Sequence, residues 1–375
     1  MAQVRYGIEH ELAFRRADGA FADFTNTTFE ELQGIVDALP EDPADYPDLR
    51  IGDQGIKRKR WYVEGFERFD GSGALVRCDP KGVEIRTRIH DSVEAAVRAL
   101  ADDLAALERQ ARLRGLEPYP IGFNPVRSSY PVVPELNAWE RAHRTASPEE
   151  RTAHLHMVTH GPDLNLSVAG LDGAALVDAG EKLTHYSPWL VPFAFSSPFR
   201  DGEPWGGLSA RTAVRTGLRP AAMVFLEPGS PYAVDSDPSL TQPARLPAEV
   251  GRIEFKAFDA CPDPELYGEL LSLLTGLVLD DTLPGRRRTP DAALHRHVAV
   301  EGLADPETHA GSGALLDAAE RALADRPADL ARLGSLRERW RARECPAAAM
   351  LARAPLVPAL RGSLDRRRRP VARPS

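Results

Sequence analysis

Four short segments of the chain alternate apolar and polar residues. They are residues 6–14, 83–88, 163–168 and 252–258. Because successive side chains of a strand point to opposite faces, each segment predicts a strand with one apolar and one polar face. A sheet with one buried face and one solvated face gives the same pattern, so the alternation alone does not indicate a functional site.

The polar faces of these strands combine acidic and basic side chains. They carry Glu9 and Glu11; Glu84, Arg86 and Arg88; Asp163, Asn165 and Ser167; and Arg252, Glu254 and Lys256. If the strands form one curved sheet, these residues line a trough of fixed carboxylates and fixed cations. Hard oxygen ligands favour Mg²⁺ or Mn²⁺, and arginine and lysine neutralise phosphate charge. The trough therefore suggests phosphoryl transfer from a nucleotide, although the chain has neither a GxxxxGK[ST] loop nor a GxGxxG fingerprint.

Apolar residues at steps of three and four predict helices outside this sheet. The clearest helix is 91–114, with Asp91 as its predicted cap and Gly115 as its end, and helical composition returns at 264–283 and between about 314 and 344. We expect a catalytic domain over 1–285, a helical extension over 286–345 and a mobile, Pro- and Arg-rich tail over 346–375. Residues 38–60 are expected to form a surface loop.

Composition excludes several classes of protein. The 375 residues carry a formal net charge of -8, with 43% hydrophobic and 27% charged residues, as in soluble globular proteins. No apolar run approaches the roughly 20 residues that span a bilayer, and three cysteines are too few for a disulfide framework. We expect a cytoplasmic protein without nucleic-acid or membrane partners, and the sequence leaves a homo-oligomer open.

Six segments, in order, resemble the carboxylate–amine ligases of the glutamate–cysteine ligase superfamily, especially its plant and proteobacterial branch. The segments are GIEHELAF (7–14), PKGVEIRT (80–87), GLEPYPIGFNP (115–125), PDLNLS (162–167), FSSPFRDGEPWGGLSARTAVR (195–215) and RIEFKAFDA (252–260). The resemblance implies an α+β fold related to glutamine synthetase. In that fold a curved antiparallel sheet forms an open barrel, and helices pack outside it.

The resemblance also implies a reaction. ATP phosphorylates the γ-carboxylate of glutamate, and the amine of cysteine or of another amino acid attacks the acyl phosphate to form an amide. The implied partners are therefore ATP and small-molecule amino acids or amines, with Mg²⁺ or Mn²⁺ as the cofactor. The residues that match the metal-ligand glutamates of the family are Glu9, Glu11, Glu84 and Glu254.

Further site residues follow from the same matches. Arg211 matches the arginine of a Ser-x-Arg motif near the phosphates, and we expect Arg211 and Lys256 to act in catalysis. The residues expected to bind substrate or nucleotide are Arg86, Asp163, Asn165, Ser209 and Arg252.

Two residues depart from the family pattern. Lys256 stands where the family usually has an arginine, and Asp163 stands where relatives have Gln or His. Lysine keeps the positive charge but loses the bidentate fork of arginine. The extra acid at 163 is a candidate metal ligand or a contact for the incoming amine. These changes leave the identity of both substrates open.

Other hypotheses remain. The chain could be a catalytically silent nucleotide-binding relative, a kinase on the same metal trough or an amide hydrolase. The four glutamates argue against a silent protein. The run HLHMVTH, with His154, His156 and His160, offers possible zinc ligands, but the absence of a neighbouring Cys or suitably spaced Glu favours structural histidines.

Overall fold

The computed structural model describes residues 2–43, 60–146 and 148–353. Most of the predicted loop at 38–60 and residues 354–375 of the predicted tail therefore lie outside the described residues. The strands are β1 (Val4–Arg16), β2 (Phe21–Ala22), β3 (Trp61–Phe69), β4 (Leu75–Arg86), β5 (Leu116–Tyr119), β6 (Pro162–Val168), β7 (Phe199–Arg200), β8 (Glu203–Pro204), β9 (Ala222–Leu226), β10 (Thr241–Pro243) and β11 (Ile253–Phe255).

Twelve α-helices lie among the other described residues. They are α1 (Phe29–Asp37), α2 (Val93–Arg112), α3 (Ala138–Arg144), α4 (Pro148–Arg151), α5 (Ala153–His156), α6 (Gly173–Leu190), α7 (Ala210–Arg215), α8 (Pro264–Leu279), α9 (Ala292–Glu301), α10 (Pro306–Ala322), α11 (Pro327–Ala342) and α12 (Pro346–Ala352). No helix among the described residues has both the length and the apolar composition that crossing a membrane requires.

The main sheet is antiparallel except at one edge. Its strands lie in the order β10-β9-β11-β6-β1-β4-β3, with β2 and β5 paired to the far end of β1, and only the pair β10–β9 is parallel. Strand β6 lies between β1 and β11, so neighbouring strands at the centre of the sheet come from distant parts of the chain. This order brings all four of the predicted polar strand faces into one sheet.

The other face of the sheet is the hydrophobic core. On the central strands it presents Ile8, Leu164 and Phe255, which are at most 1% exposed. Helices α2, α6 and α8 cover this face, and α8 is buried along most of its length. Leu315 of α10 and Leu333 of α11 belong to the same core cluster. The helices after residue 285 therefore share one core with the sheet. The predicted α+β fold, with a curved antiparallel sheet and helices outside, is confirmed.

Two local expectations need correction. The helix predicted over 91–114 is α2, but Ser92 caps it, because the Ser92 hydroxyl accepts the N–H of Ala95 whereas Asp91 points toward Gln3 and Arg5. The predicted mobile tail begins with a folded helix, α12. Ala347 of that helix is buried and donates its N–H to the carbonyl of Phe195 at 2.7 Å.

A β-bulge bends the sheet where β4 pairs with β3. Glu64 pairs with Gly82 and the next residue, Gly65, pairs with Pro80, so Lys81 is an extra residue on β4. The bent strand approaches β1 very closely: a Cβ on Gly82 would lie 2.0 Å from the carbonyl oxygen of Leu12. Only glycine fits at this close approach of β4 to β1.

This close approach predicts opposite effects for two Gly→Ala substitutions. Gly82→Ala should lower the free energy of unfolding by about 1–3 kcal/mol, because the clash is with backbone that cannot rotate away. Gly334→Ala is the matched control, since Gly334 is exposed in α11 with nothing within 4 Å of an added Cβ. It should raise stability by about 0.5–1 kcal/mol. Urea unfolding of both variants measures the change in the free energy of unfolding. A Gly82→Ala protein as stable as the unmutated one would contradict the close approach of β4 to β1.

Candidate active site

Strand register places the predicted polar residues side by side on one face of the sheet. Glu9 lies opposite Asp163 on β6 and Arg86 on β4, and Glu11 lies opposite Glu84. Asn165 of β6 lies opposite Glu254 of β11 and Gly7 of β1. On the outer strand β3, Tyr62 is opposite Glu84 and Glu64 is opposite Gly82. We call this polar face of β1, β3, β4, β6 and β11 the trough.

The trough forms the floor of a cavity with a volume of about 860 Å³. This volume lies in the upper part of the range for small-molecule sites and has room for more than one ligand. The predicted site residues that line it are Glu9, Glu11, Glu84, Arg86, Asp163, Asn165, Arg252, Glu254 and Lys256. Nine of the predicted site residues therefore lie along the floor of one cavity.

Lys256 joins the two acids of adjacent strands. Its Nζ lies 2.5 Å from Oδ2 of Asp163 and 2.6 Å from Oε1 of Glu254. Burial alone would lower the pKa of Lys256, but these two carboxylates raise it, so the ammonium stays charged. Burial raises the pKa of Asp163 despite the attraction of Lys256. The two departures from the family pattern, at 163 and 256, are therefore partners in one ion pair.

Arg252 neutralises the acids on the other side of Glu254. Its guanidinium lies 3.2 Å from Oε1 of Glu9 and 3.0 Å from Oε2 of Glu254. The same group lies over the ring of Phe225, 3.8 Å from the ring centre. Arg252 is therefore held in place by two carboxylates and an aromatic ring, and it fixes Glu9 and Glu254 relative to each other.

At the bulged end of the trough, Glu11 has partners for both of its oxygens. Oε1 lies 3.0 Å from Nζ of Lys81, and Oε2 accepts the backbone N–H of Gly161 at 2.8 Å. Burial alone would raise the pKa of Glu11, but Lys81, His156 and Arg215 lower it well below its usual range. Burial lowers the pKa of His156 to about 4, so this imidazole is neutral at pH 7.

Glu64 and His156 complete this group. Nε2 of His156 lies 2.5 Å from Oε1 of Glu64, and Nδ1 lies 3.1 Å from Nζ of Lys81. The possible metal-ligand atoms of Glu11, Glu64 and His156 lie within 4.8 Å of one another. In the described part of the chain, they form the one group of three His, Cys, Asp or Glu residues that lie this close together. His154 and His160 are not part of it, so the three histidines of HLHMVTH do not form a shared zinc site in this structure.

Two predicted site residues do not line the cavity. Arg211 is 1% exposed, and its Nη2 donates to the backbone carbonyl of Lys256 at 2.9 Å. Ser209 caps helix α7 by accepting the N–H of Thr212, and its hydroxyl donates to the buried carboxylate of Asp259 at 2.9 Å. In this structure Arg211 and Ser209 support the backbone behind the trough, and their expected contacts with the substrate stay predictions.

Two arginines that the sequence analysis did not select line the cavity instead. Arg215 ends α7, Arg219 follows in the next turn, and they are 7% and 9% exposed. Within the described residues, neither guanidinium has a hydrogen bond or an ion pair. Burial, followed by repulsion from Arg215, lowers the pKa of Arg219 to about 10, which still leaves it charged at pH 7. Buried, charged and unpaired side chains of this kind suit an anionic ligand.

The remaining oxygen donors of the trough fit a hard divalent cation. Glu9, Glu84 and Glu254 line the cavity, and Oδ1 of Asn165 is buried there without a hydrogen-bond partner in the described structure. These residues are not gathered into one tight cluster. That arrangement is compatible with Mg²⁺, which is usually held by one or two carboxylates together with water and substrate phosphates.

The chain matches a known protein family. Residues 5–229 match the family model described as glutamate–cysteine ligase family 2. No curated protein sequence shows a significant match to the chain. Over 99% of this chain and 90% of the other, the fold is similar to that of glutamate–cysteine ligase from Francisella tularensis in complex with AMP, with a TM-score of 0.55 and 11% identity.

Two further solved structures share the fold. One is a bifunctional glutathione synthetase from Pasteurella multocida, with a TM-score of 0.52 and 14% identity over 94% of this chain and 50% of that one. The other is the complex between the prokaryotic ubiquitin-like protein Pup and its ligase PafA, with a TM-score of 0.51 and 14% identity over 94% and 66%. Because the family model spans more than half of the residues, the chain belongs to glutamate–cysteine ligase family 2, a family of ATP-dependent carboxylate–amine ligases.

Proposed function

We propose that the protein joins the γ-carboxylate of glutamate to the amine of an amino acid such as cysteine, with ATP activating the carboxylate as an acyl phosphate. The observation that carries this proposal is the pairing of two kinds of site in one cavity. The carboxylates of the trough suit cation-bound phosphates, and the unpaired guanidiniums of Arg215 and Arg219 suit the carboxylate groups of an amino-acid substrate.

The divalent cation expected for this chemistry is Mg²⁺ or Mn²⁺. Held by Glu9, Glu84 and Glu254, it would neutralise phosphate charge while the γ-phosphoryl group of ATP is transferred. The side chains themselves supply position and charge. Arg252 holds Glu9 and Glu254 in place, and Lys256 offers positive charge at the edge of the same carboxylates.

The chemical steps balance without a further reactant. A carboxylate oxygen of the acid attacks the γ-phosphorus of ATP, the bond to ADP breaks, and an acyl phosphate forms. The amine nitrogen, as the free base, then attacks the acyl carbon. Inorganic phosphate leaves as the amide bond forms, and the proton lost by the nitrogen passes to the departing phosphate. Arg215 and Arg219 would orient the acid for the first step, since a fixed guanidinium pair restricts the position of a bound carboxylate.

The alternative of a silent nucleotide-binding relative has one observation in its favour. Lys256, which stands at the family arginine position, already donates to Asp163 and Glu254. These two contacts use two of the three protons of the ammonium group, so only one proton remains for a phosphate oxygen. A silent relative would bind Mg·ATP without releasing ADP, whereas a kinase would form a phosphorylated product without free phosphate.

The first test is ADP and phosphate release from Mg·ATP with glutamate and a panel of amines, with the amide identified by mass spectrometry.

Glu254→Gln should reduce turnover by at least about 100-fold, because its carboxylate lies between two cations at the phosphate end of the proposed reaction. The thermal midpoint of the variant shows whether the fold is intact. Glu338→Gln, an exposed residue of α11, is the matched control and should retain full activity. Full activity in a folded Glu254→Gln protein would remove Glu254 from the site.

The second test separates acid binding from ATP binding. Arg219→Gln should raise the KM for the carboxylate substrate by about 10–100-fold, since a hydrogen bond to a charged group contributes roughly 1.5–3 kcal/mol. The KM for ATP should change little. Arg341→Gln, at an exposed position in the last turn of α11, is the matched control. A variant that raised only the KM for ATP would assign Arg219 to the nucleotide instead.

A further inference from the structure

We propose that Lys81 is a fixed cation that occupies the cation position formed by Glu11, Glu64 and His156, so that the protein binds no divalent ion there. This inference deepens the proposed function, because it concerns the same trough, but its test needs neither ATP nor turnover. It assigns Lys81 a positioning role and departs from the expectation that Glu11 is a metal ligand.

The surroundings of the Lys81 ammonium are those of a bound cation. Its Nζ lies 3.0 Å from Oε1 of Glu11, 3.1 Å from Nδ1 of His156, 3.1 Å from the carbonyl oxygen of His156 and 2.9 Å from that of Thr159. The side chain is 1% exposed. Four acceptors therefore surround a donor with three protons, and two of them are backbone carbonyls. The carbonyl of His156 also accepts the N–H of Thr159 at 3.2 Å.

The hydrogen bonds of His156 exclude a metal ion while Lys81 is in place. An ammonium group can only donate, so Nδ1 of His156 must accept from Lys81, and the proton of the neutral ring lies on Nε2. That proton is donated to Oε1 of Glu64 at 2.5 Å. Neither ring nitrogen then has a free lone pair for a metal.

The β-bulge explains how a lysine reaches this position. In a regular strand, residue 81 would point to the opposite face from its neighbours Gly82 and Pro80. Because Lys81 is the extra residue of the bulge, β4 turns locally and the side chain enters the trough beside Glu11. The close approach of Gly82 to β1 holds the bulge against the strand that carries Glu11.

The carboxylates around Lys81 explain why a fixed cation matters at this position. Burial lowers the pKa of Lys81, and the carboxylates of Glu11, Glu64 and Glu84 oppose that shift. Arg215 adds positive charge beside Glu11 from α7. A charged lysine neutralises this end of the trough at any concentration of divalent ion. Metal ions are then needed only toward the other end of the trough, near Glu9 and Glu254.

Counting bound Mn²⁺ in the full chain tests this proposal. Isothermal titration with Mn²⁺ alone, without nucleotide, should show one more site in Lys81→Met than in the unmutated protein, because the change frees both Glu11 and Nδ1 of His156. Lys81→Met with His156→Gln should lose that added site, and Lys81→Arg, which keeps the charge, should not gain it. Added Mn²⁺ should raise the thermal midpoint of Lys81→Met more than that of the unmutated protein.

A second comparison keeps the proposal testable if Lys81→Met fails to fold. In the protein with Lys81 intact, His156→Gln should leave the number of Mn²⁺ sites unchanged. Loss of one site on that substitution would overturn the proposal, and so would a folded Lys81→Met protein that binds no more Mn²⁺ than the unmutated one. A lysine that only fills space would give this second result. An inactive protein still gives an interpretable count, so failure of the proposed ligase activity is distinguishable from failure of this inference.

Discussion

Mutual repulsion of carboxylates is the constraint on which this structure depends. Pairing of β1 with β4 sets Glu11 directly opposite Glu84, and pairing of β1 with β6 sets Glu9 opposite Asp163. Like charges at such positions destabilise a sheet unless cations separate them. The protein supplies those cations from its own side chains: Arg252 between Glu9 and Glu254, Lys256 between Glu254 and Asp163, and Lys81 beside Glu11. These positive side chains offset much of the negative charge of the trough.

The rest of the architecture keeps these charges in register. The apolar face of the same strands packs on α2, α6 and α8, so the position of each carboxylate is tied to the core. Behind the trough, Asp259 accepts from Ser197 and Ser209, which fixes the start of α7. That helix brings Arg215 to the cavity, and the turn after it brings Arg219. Acids on a rigid sheet and arginines from a short helix therefore meet across one space.

The sequence predicted the floor of the site better than its walls. Strict alternation identified the strands that carry Glu9, Asp163 and Glu254, because a period of two is visible without knowledge of the fold. Glu64 could have been found by the same signal, since Tyr62 and Glu64 alternate with Trp61 and Val63. Lys81 could not, because a bulge breaks the period at the residue that matters. The arginines of α7 share a helical spacing of four, and only tertiary packing decides that Arg215 faces the cavity while Arg211 faces the backbone of Lys256.

The bulge at Lys81 also bears on how such a site can change during evolution. It adds one residue to β4 between Pro80 and Gly82, and pairing with β3 resumes on both sides. Loss or gain of a single codon at this point would remove or add one positive charge in the trough while the strands beyond it kept their partners. On the role proposed for Lys81, one insertion or deletion at this point decides whether the trough carries its own cation, and the acids that line the site stay the same.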